Sequence, residues 1–468
     1  MHEPRERTSH KMADSIQERL TNYAFDFHYD GLSPEVIHAA KVRVIDTLGV
    51  LIGGFFGDPC RIGRNLAAQV PSPNGATVIG TRMKTTPEMA AFVNATTARN
   101  AEMTDTYHWP GSSHGHPSDV IMPILAVAEH VRANGRDFVA CVVLAYEIYL
   151  RLSNAFHNGG FDHTNFCVLG SAVAAGKLLG LSSGQLSHCI SMAMVPNVIL
   201  KQTRKGQLSM FKATASGQAG RAGVFAALLA REGMEGPQLP FEGKAGWCDH
   251  VALERFSLDS MGGAGTPFKI LDTSIKLYPS AGFSIASILA AEKVAPLNSI
   301  KDIKQVTVEV YSKLKELGGT GELHWNPMSR EAADHSTPYL VAATLMDGTI
   351  TQNSFNDAHL WNPELRSLMK KIEVVENEEF TRAFERVPVE HRTRVTVLKV
   401  SGECMVGETG GDKGDLVEEK SDSHIIKKFR ELTEAYLGDP RINFILDRLW
   451  QLENVKNVSD IPPAFNLD

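Results

Sequence analysis

The sequence predicts a mainly α protein with a smaller α+β domain, and three observations carry that expectation. From about Ser33 to Gly233, apolar residues recur at helical spacing almost throughout. After about Pro267, "KQVTVEVY" and "RTRVTVLKV" alternate apolar and polar residues with period two, as half-buried strands do. The end, "DPRINFILDRLWQL", then returns to helix. A large all-helical domain is expected over 1–270, an inserted α+β domain over 271–409, and helices over 410–468 that rejoin the first. At 468 residues the chain is long enough for a large core.

The elements follow in order. "SPEVIHAAKVRVIDTLGVLIGG" opens with Ser33 as N-cap, Pro34 at the first helical position and Glu35 in the first turn, and Val36, Ala40, Val44 and Leu48 share a face. "TTPEMAAFVNATTARNAEM" repeats the device with Thr86, Pro87 and Glu88. Helices are expected over Val120 to Val131, Phe138 to Arg151 and Val168 to Leu179, the last stopped by Gly180. Ser182 and Gln185 can form a capping box for a helix ending near Pro196. Alanine and glycine on several faces suit close helix packing. In the second domain, helices are expected over Ser284 to Val294 and Thr337 to Met346. "GETGGDKGDLVEEKSD", rich in glycine and charge, reads as the return linker, and Asp439 as the N-cap of the last helix, with Pro440 behind it.

Composition excludes several classes of function. The chain is 43% hydrophobic and 22% charged with a formal net charge of -7, so no basic field draws it to nucleic acid or to an anionic membrane. "MHEPRERTSHKMADSIQERL" has no apolar stretch of signal-peptide length, and no later run reads as an uninterrupted membrane span. A cytoplasmic protein is expected, or a mitochondrial one in a eukaryote. The six cysteines are scattered without a CxxC pair, which argues against a disulfide framework, a zinc ribbon or a cluster held by closely spaced thiolates.

The polar island "TDTYHWPGSSHGHPSDVIMP" interrupts the helical run with three histidines and two aspartates. His114 and His116 form an HxH pair compatible with metal ligation, but two ligands need a third, and nothing nearby supplies it. Acid/base chemistry needs only one imidazole in a cleft. A solvated loop is the third alternative. Further along, Asp162 and His163 precede an Ala/Gly-rich helix whose terminal N–H groups can receive a carboxylate. Lys212 stands just before another such helix, and Lys276 lies in "IKLYPSAGFS", where the pattern changes. Together these describe a concave site with two proton carriers and two cations, suited to enolising or dehydrating a polycarboxylate.

Those residues resemble the MmgE/PrpD family, which includes 2-methylcitrate dehydratase, cis-aconitate decarboxylase and iminodisuccinate epimerase. The resemblance runs through nearly the whole chain. It rests on "DTYHWPGSSHGHPSD", "GFDHTNFCVLGSAVAAGKLLGLSS", "KATASGQAGRAG", "IKLYPSAG" and the long "WNPMSREAADHSTPYLVAATLMDG". It implies a large helical domain with a smaller lid domain, a homodimer, and catalysis without cofactor or metal, including the iron-sulfur cluster of aconitases. Carried over residue by residue, it implies catalytic roles for His116, His163 and Lys212. It implies substrate contacts for Lys276, Glu102, Asp105, Thr106 and Ser118. Glu102 stands where several relatives have aspartate, so the arm is longer while the charge is kept. A tyrosine that decarboxylase members carry after the "VTVEVY" strand has no clear match here, and the "ADHS" form at Asp334 to Ser336 leans toward dehydratases.

The expected function is a hydro-lyase that dehydrates 2-methylcitrate, or a close tricarboxylate, to 2-methyl-cis-aconitate. The rivals are decarboxylation of cis-aconitate to itaconate, epimerisation of an amino-dicarboxylate, and a non-catalytic dimeric binding protein. Lys212 and Lys276 are expected to be unpaired in an open cleft, so that replacing either leaves ligand-free stability nearly unchanged.

Overall fold

A computed structural model describes residues 13–109, 112, 114–157 and 159–467. The first twelve residues of the N-terminal stretch, and Pro110, Gly111 and Ser113 of the polar island, lie outside the described residues. The fold is mainly helical with one small mixed sheet and a short hairpin.

Most helices begin where capping chemistry predicts. Ser33 accepts the Val36 N–H at the start of the Pro34–Gly54 helix. Ser182 and Gln185 satisfy one another's backbone groups at the start of Ser183–Met194. Thr86 holds the N-cap position of Pro87–Asn100, but its hydroxyl donates to Glu88 Oε1 at 2.6 Å and caps no backbone N–H. The last helix, Asp439–Trp450, has Gly438 as its cap, so Asp439 is the first helical residue and its carboxylate faces the positive end of the helix dipole.

Close packing appears where the Phe211–Arg231 helix crosses Thr164–Leu178. A Cβ on Gly223 would stand 2.5 Å from the Val168 carbonyl oxygen, so only glycine lets these backbones approach. The Gly135–Ala155 helix is long and apolar enough to cross a bilayer, contrary to the sequence reading, but 83% of its apolar window is buried in the protein.

Two main cores divide the chain. The larger draws on helices from Ile16 to Ile275 and again from Ile425 to Phe465. The smaller runs from Ile288 to Val397. In it the sheet order is Ile372–Glu376, Ile303–Val310, Thr393–Lys399 and Cys404–Thr409; the first pair is parallel, the other two antiparallel. Val306, Val308 and Val310 turn to the buried face, where the Ile285–Glu292 and Thr337–Asp347 helices pack nearby.

Four strand segments escaped the sequence reading: Pro71–Thr77, Lys84–Thr85, Ile372–Glu376 and Cys404–Thr409. The last contains the "GET" that opens the expected linker, so the return to the helical core starts later than composition suggested. Between the two cores the chain crosses a seam at 276–287, and Lys276 is the first residue on it.

Candidate active site

The Pro87–Asn100 helix ends two residues before Glu102, whose φ of +54 is in the left-handed region. For a residue with a side chain this costs about 1–3 kcal/mol, and surrounding contacts must hold it. Those contacts are cations. Glu102 lies 2.6 Å from Arg99, 3.1 Å from Lys212 and 2.8 Å from Lys276. Burial alone would raise its carboxyl, but Arg99, Lys212 and Lys276 outweigh burial and hold it well below the ordinary carboxylate range.

Each cation is anchored further. Lys212, the second residue of its helix, donates to Asp334 at 3.0 and 3.2 Å and lies 3.2 Å from His335 Nδ1. Lys276 donates to the Ser280 carbonyl at 3.0 Å; that acceptor and Glu102 leave one of its three N–H groups for another partner. Burial pushes its ammonium down to about 8, opposed by Glu102. Arg99 Nε stands 3.7 Å from Asp119 Oδ1, and Ser216 donates to the other Asp119 oxygen at 2.8 Å. Glu102, Lys212 and Lys276 are 2%, 3% and 1% exposed. The expected open cleft with unpaired lysines is therefore corrected: both are buried and paired, because a bare ammonium is too costly to remove from water.

The histidines line one side. His116 Nε2 is 3.7 Å from Glu102 Oε1, and its Nδ1 is 2.7 Å from the Asp105 main-chain oxygen. His163 stands across from it, with ring centroids 5.4 Å apart. Burial lowers both imidazoles, His116 well below its ordinary value with Arg99 and Lys276 adding to the effect, and His163 to about 3. Both rings are neutral near pH 7, and their side chains keep 12% and 10% exposure.

The other expected site residues are placed differently. Asp105 is fully buried: its Oδ1 accepts the Ser118 N–H at 3.0 Å and its Oδ2 the Tyr146 hydroxyl at 2.8 Å, so its carboxylate braces the loop. The Thr106 hydroxyl faces His108 at 3.3 Å, while its backbone pairs with Ser274 in both directions. The buried Ser118 hydroxyl interacts with the Asp105 carboxylate, whereas that of Ser280, beside Lys276, has no hydrogen-bond partner among the described residues.

His114 and His116 diverge. His114 packs against His108 with centroids 5.0 Å apart, His108 packs equally close to His391, and the HxH pair does not converge on one point. Among the described residues, no group of three or more His, Cys, Asp or Glu side chains is arranged to hold a metal ion. Asp162 does not leave its helix terminus open either. It accepts from the Thr164 N–H and hydroxyl at 3.0 and 2.7 Å and from Arg204 at 2.7 Å, so the chain's own carboxylate takes the place expected for a substrate's.

Sequence reasoning missed Arg99, Asp119, Tyr149 and His335, and named Asp334 without a site role. Arg99 sits in the last turn of the Pro87–Asn100 helix, and Glu102, just past the helix end, turns back to meet it. Tyr146 and Tyr149 stand three residues apart on the Gly135–Ala155 helix and send both hydroxyls under the histidine loop.

Residues 18–258 match the MmgE/PrpD N-terminal domain and residues 278–452 the MmgE/PrpD C-terminal domain. The chain belongs to the MmgE/PrpD family. It is 26% identical over 396 residues to a mitochondrial 2-methylcitrate dehydratase of Yarrowia lipolytica, covering 79% of this chain and 74% of the relative. It is 28% identical over 371 residues to a 2-methylcitrate dehydratase of Cupriavidus necator, covering 74% of each. It is also 26% identical over 394 residues to the cis-aconitate decarboxylase of Homo sapiens, covering 78% of this chain and 77% of the relative. Dehydratase and decarboxylase are both lyases, and lyase-type chemistry is the level at which these relatives agree. The C-terminal family domain runs past the smaller core into the returning helices, because the chain re-enters the large core before that domain ends.

Proposed function

We propose that the protein is a hydro-lyase that removes water from 2-methylcitrate or a close tricarboxylate, yielding 2-methyl-cis-aconitate. The observation that carries this reading is the gathering of Arg99, Lys212 and Lys276 around one carboxylate, beside two neutral imidazoles.

Removing a proton next to a carboxylate builds an aci-carboxylate dianion, and cations fixed in a buried pocket stabilise charge that develops only in the transition state. The remaining N–H of Lys276 and the hydroxyl of Ser280 can hold the substrate's oxygens. His116 and His163 divide proton removal from protonation of the departing hydroxyl. Asp105 and Thr106 contribute by holding the loop rather than by touching substrate. The reading includes a homodimer working without a cofactor, in the cytoplasm or, in a eukaryote, the mitochondrion.

Product analysis by NMR after incubation with 2-methylcitrate, citrate and cis-aconitate tests it. The expected product is 2-methyl-cis-aconitate from the first acid. Itaconate from cis-aconitate, with no dehydration, would move the chain to the decarboxylase reading that the human relative favours. No turnover of any of the three, with binding retained, would favour a binding protein.

A further inference from the structure

We infer that Tyr149 is a positioning residue that fixes His163 in the tautomer opposite to that of His116, making His116 the proton acceptor and His163 the proton donor. The inference rests on the elimination proposed above and goes beyond it by assigning the direction of proton flow.

The assignment follows from counting donors. His116 Nδ1 lies 2.7 Å from the Asp105 carbonyl oxygen, which can only accept. Nδ1 therefore carries the hydrogen, and Nε2, which faces the cation cluster, carries the lone pair. The Tyr149 oxygen accepts the main-chain N–H of His116 at 3.3 Å and lies 2.8 Å from His163 Nδ1. The phenol's own proton then has His163 Nδ1 as its acceptor, so Nδ1 is bare and Nε2 bears the hydrogen. The reverse tautomer would aim two donors at the phenol and leave its own hydrogen unmatched at a fully buried residue. Burial raises the Tyr149 hydroxyl well above the ordinary phenol range, so it keeps its proton at rest.

A second observation comes from the "HGH" sequence. A Cβ on Gly115 would stand 2.2 Å from the Tyr149 oxygen and 3.2 Å from His163 Cβ and Cγ. The glycine is what allows the phenol to sit between the two histidines.

On this assignment the step balances. The C3–H bond of 2-methylcitrate breaks, its proton goes to His116 Nε2, and its electron pair forms the C2=C3 double bond. The C2–O bond breaks with its pair, the oxygen takes the Nε2 proton of His163, and water leaves. The proton of Tyr149 follows onto Nδ1, so the His163 ring stays neutral. Hydroxide, whose conjugate acid has a pKa of about 15.7, is a strong enough base to draw it. The phenolate oxygen is held by the His116 N–H and balanced by the His116 imidazolium; once product has gone, His116 gives its extra proton to solvent and Tyr149 takes one back.

The first test needs no substrate. Histidine-¹⁵N-labelled protein is measured by solid-state NMR, with His163 identified by difference against His163→Gln. Bare Nδ1 on His163 is expected, and loss of that single tautomer in Tyr149→Phe; a wild-type His163 protonated at Nδ1 overturns the inference. The second test uses 2-methylcitrate. Tyr149→Phe should lower kcat ~10²-fold with KM within about twofold, because only the acid is impaired. Deuterium exchange at C3, and fluoride release from 2-fluorobutane-1,2,3-tricarboxylate, whose leaving group needs no proton, should stay within about threefold of wild type. Parallel loss of all three activities would make Tyr149 merely structural and overturn the inference. If Tyr149→Phe does not fold, the wild-type tautomer measurement decides the inference. A wild type that turns over no 2-methylcitrate defeats the proposed function alone, and the tautomer measurement still decides the inference.

Discussion

Lys276, the first residue on the seam between the two cores, places its ammonium 2.8 Å from Glu102 Oε1, in the loop that follows the Pro87–Asn100 helix. Lys212 grips the other Glu102 oxygen at 3.1 Å and Asp334 of the smaller domain at 3.0 Å. The groups available to a substrate are the same groups that hold the two domains together. A tricarboxylate must share these cations with Glu102 and Asp334, which couples binding to the fit between domains.

Lys276→Met should raise KM for the tricarboxylate and also lower ligand-free stability, by about 3 kcal/mol, because it removes one partner of a buried ion pair. Lys212→Met should chiefly lower kcat, with a comparable loss of stability, since it also strips Asp334 of its cation. Steady-state kinetics beside ligand-free melting curves check both. A Lys276→Met protein that melts like wild type would mean that the Glu102 pairing contributes nothing to the fold.

Glu102→Gln should destabilise the free protein by about 3–5 kcal/mol, because Arg99, Lys212 and Lys276 would face one another without the carboxylate between them. A polyanion that fills the same position should restore part of the loss. Citrate is therefore expected to raise the Tm of Glu102→Gln by more than it raises that of wild type. An equal shift in both proteins would put citrate elsewhere.

His116→Ala should lower kcat ~10²–10⁴-fold, the usual loss when a general acid or base is removed. The ring is partly exposed and makes a single side-chain hydrogen bond, to the Asp105 carbonyl, so the fold should survive. Turnover and circular dichroism on one preparation check this, and near-wild-type kcat would remove His116 from the chemistry.

The pH dependence has a definite sign on each side. Lys276 titrates near 8 in the free protein, so kcat/KM should fall as pH rises through about 8 and its charge is lost. Bound carboxylates favour the ammonium, so the corresponding limb in kcat should lie higher. His163 is depressed to about 3, so kcat/KM should show no acid limb near 6.5 from this residue. Stability responds between those values. An unfolded histidine takes up its proton near pH 6.5, whereas the folded one resists until about 3, so stability should decline as pH falls from about 6.5 toward 3. Denaturant titrations across that window should show a shallower decline in His163→Gln.

Features carried by contiguous residues can be read without the fold. Ser33 with Pro34, and Ser182 with Gln185, announce helix starts because a cap satisfies backbone groups only two or three residues away. The alternation in "KQVTVEVY" and "RTRVTVLKV" announces the central strands because one face of each is buried. Ile372–Glu376 alternates over only its first few residues, and Cys404–Thr409 has no apolar alternation, so neither stood out. The motifs around His116, His163, Lys212 and Lys276 were legible for the same local reason.

How these residues meet depends on packing between distant segments. Glu102, Lys212, Lys276 and Asp334 come from four distant segments, and each reads in isolation as an ordinary solvated charge. Burial makes pairing obligatory, so packing turned two expected free lysines into partners of Glu102. Arg99 and Tyr149 were hidden inside helices, where an arginine reads as surface and a tyrosine as core. The role of Tyr149 exists only because the Gly115 loop folds down onto the Gly135–Ala155 helix, within reach of its hydroxyl groups, and that of Arg99 because Glu102 and Asp119 converge on it.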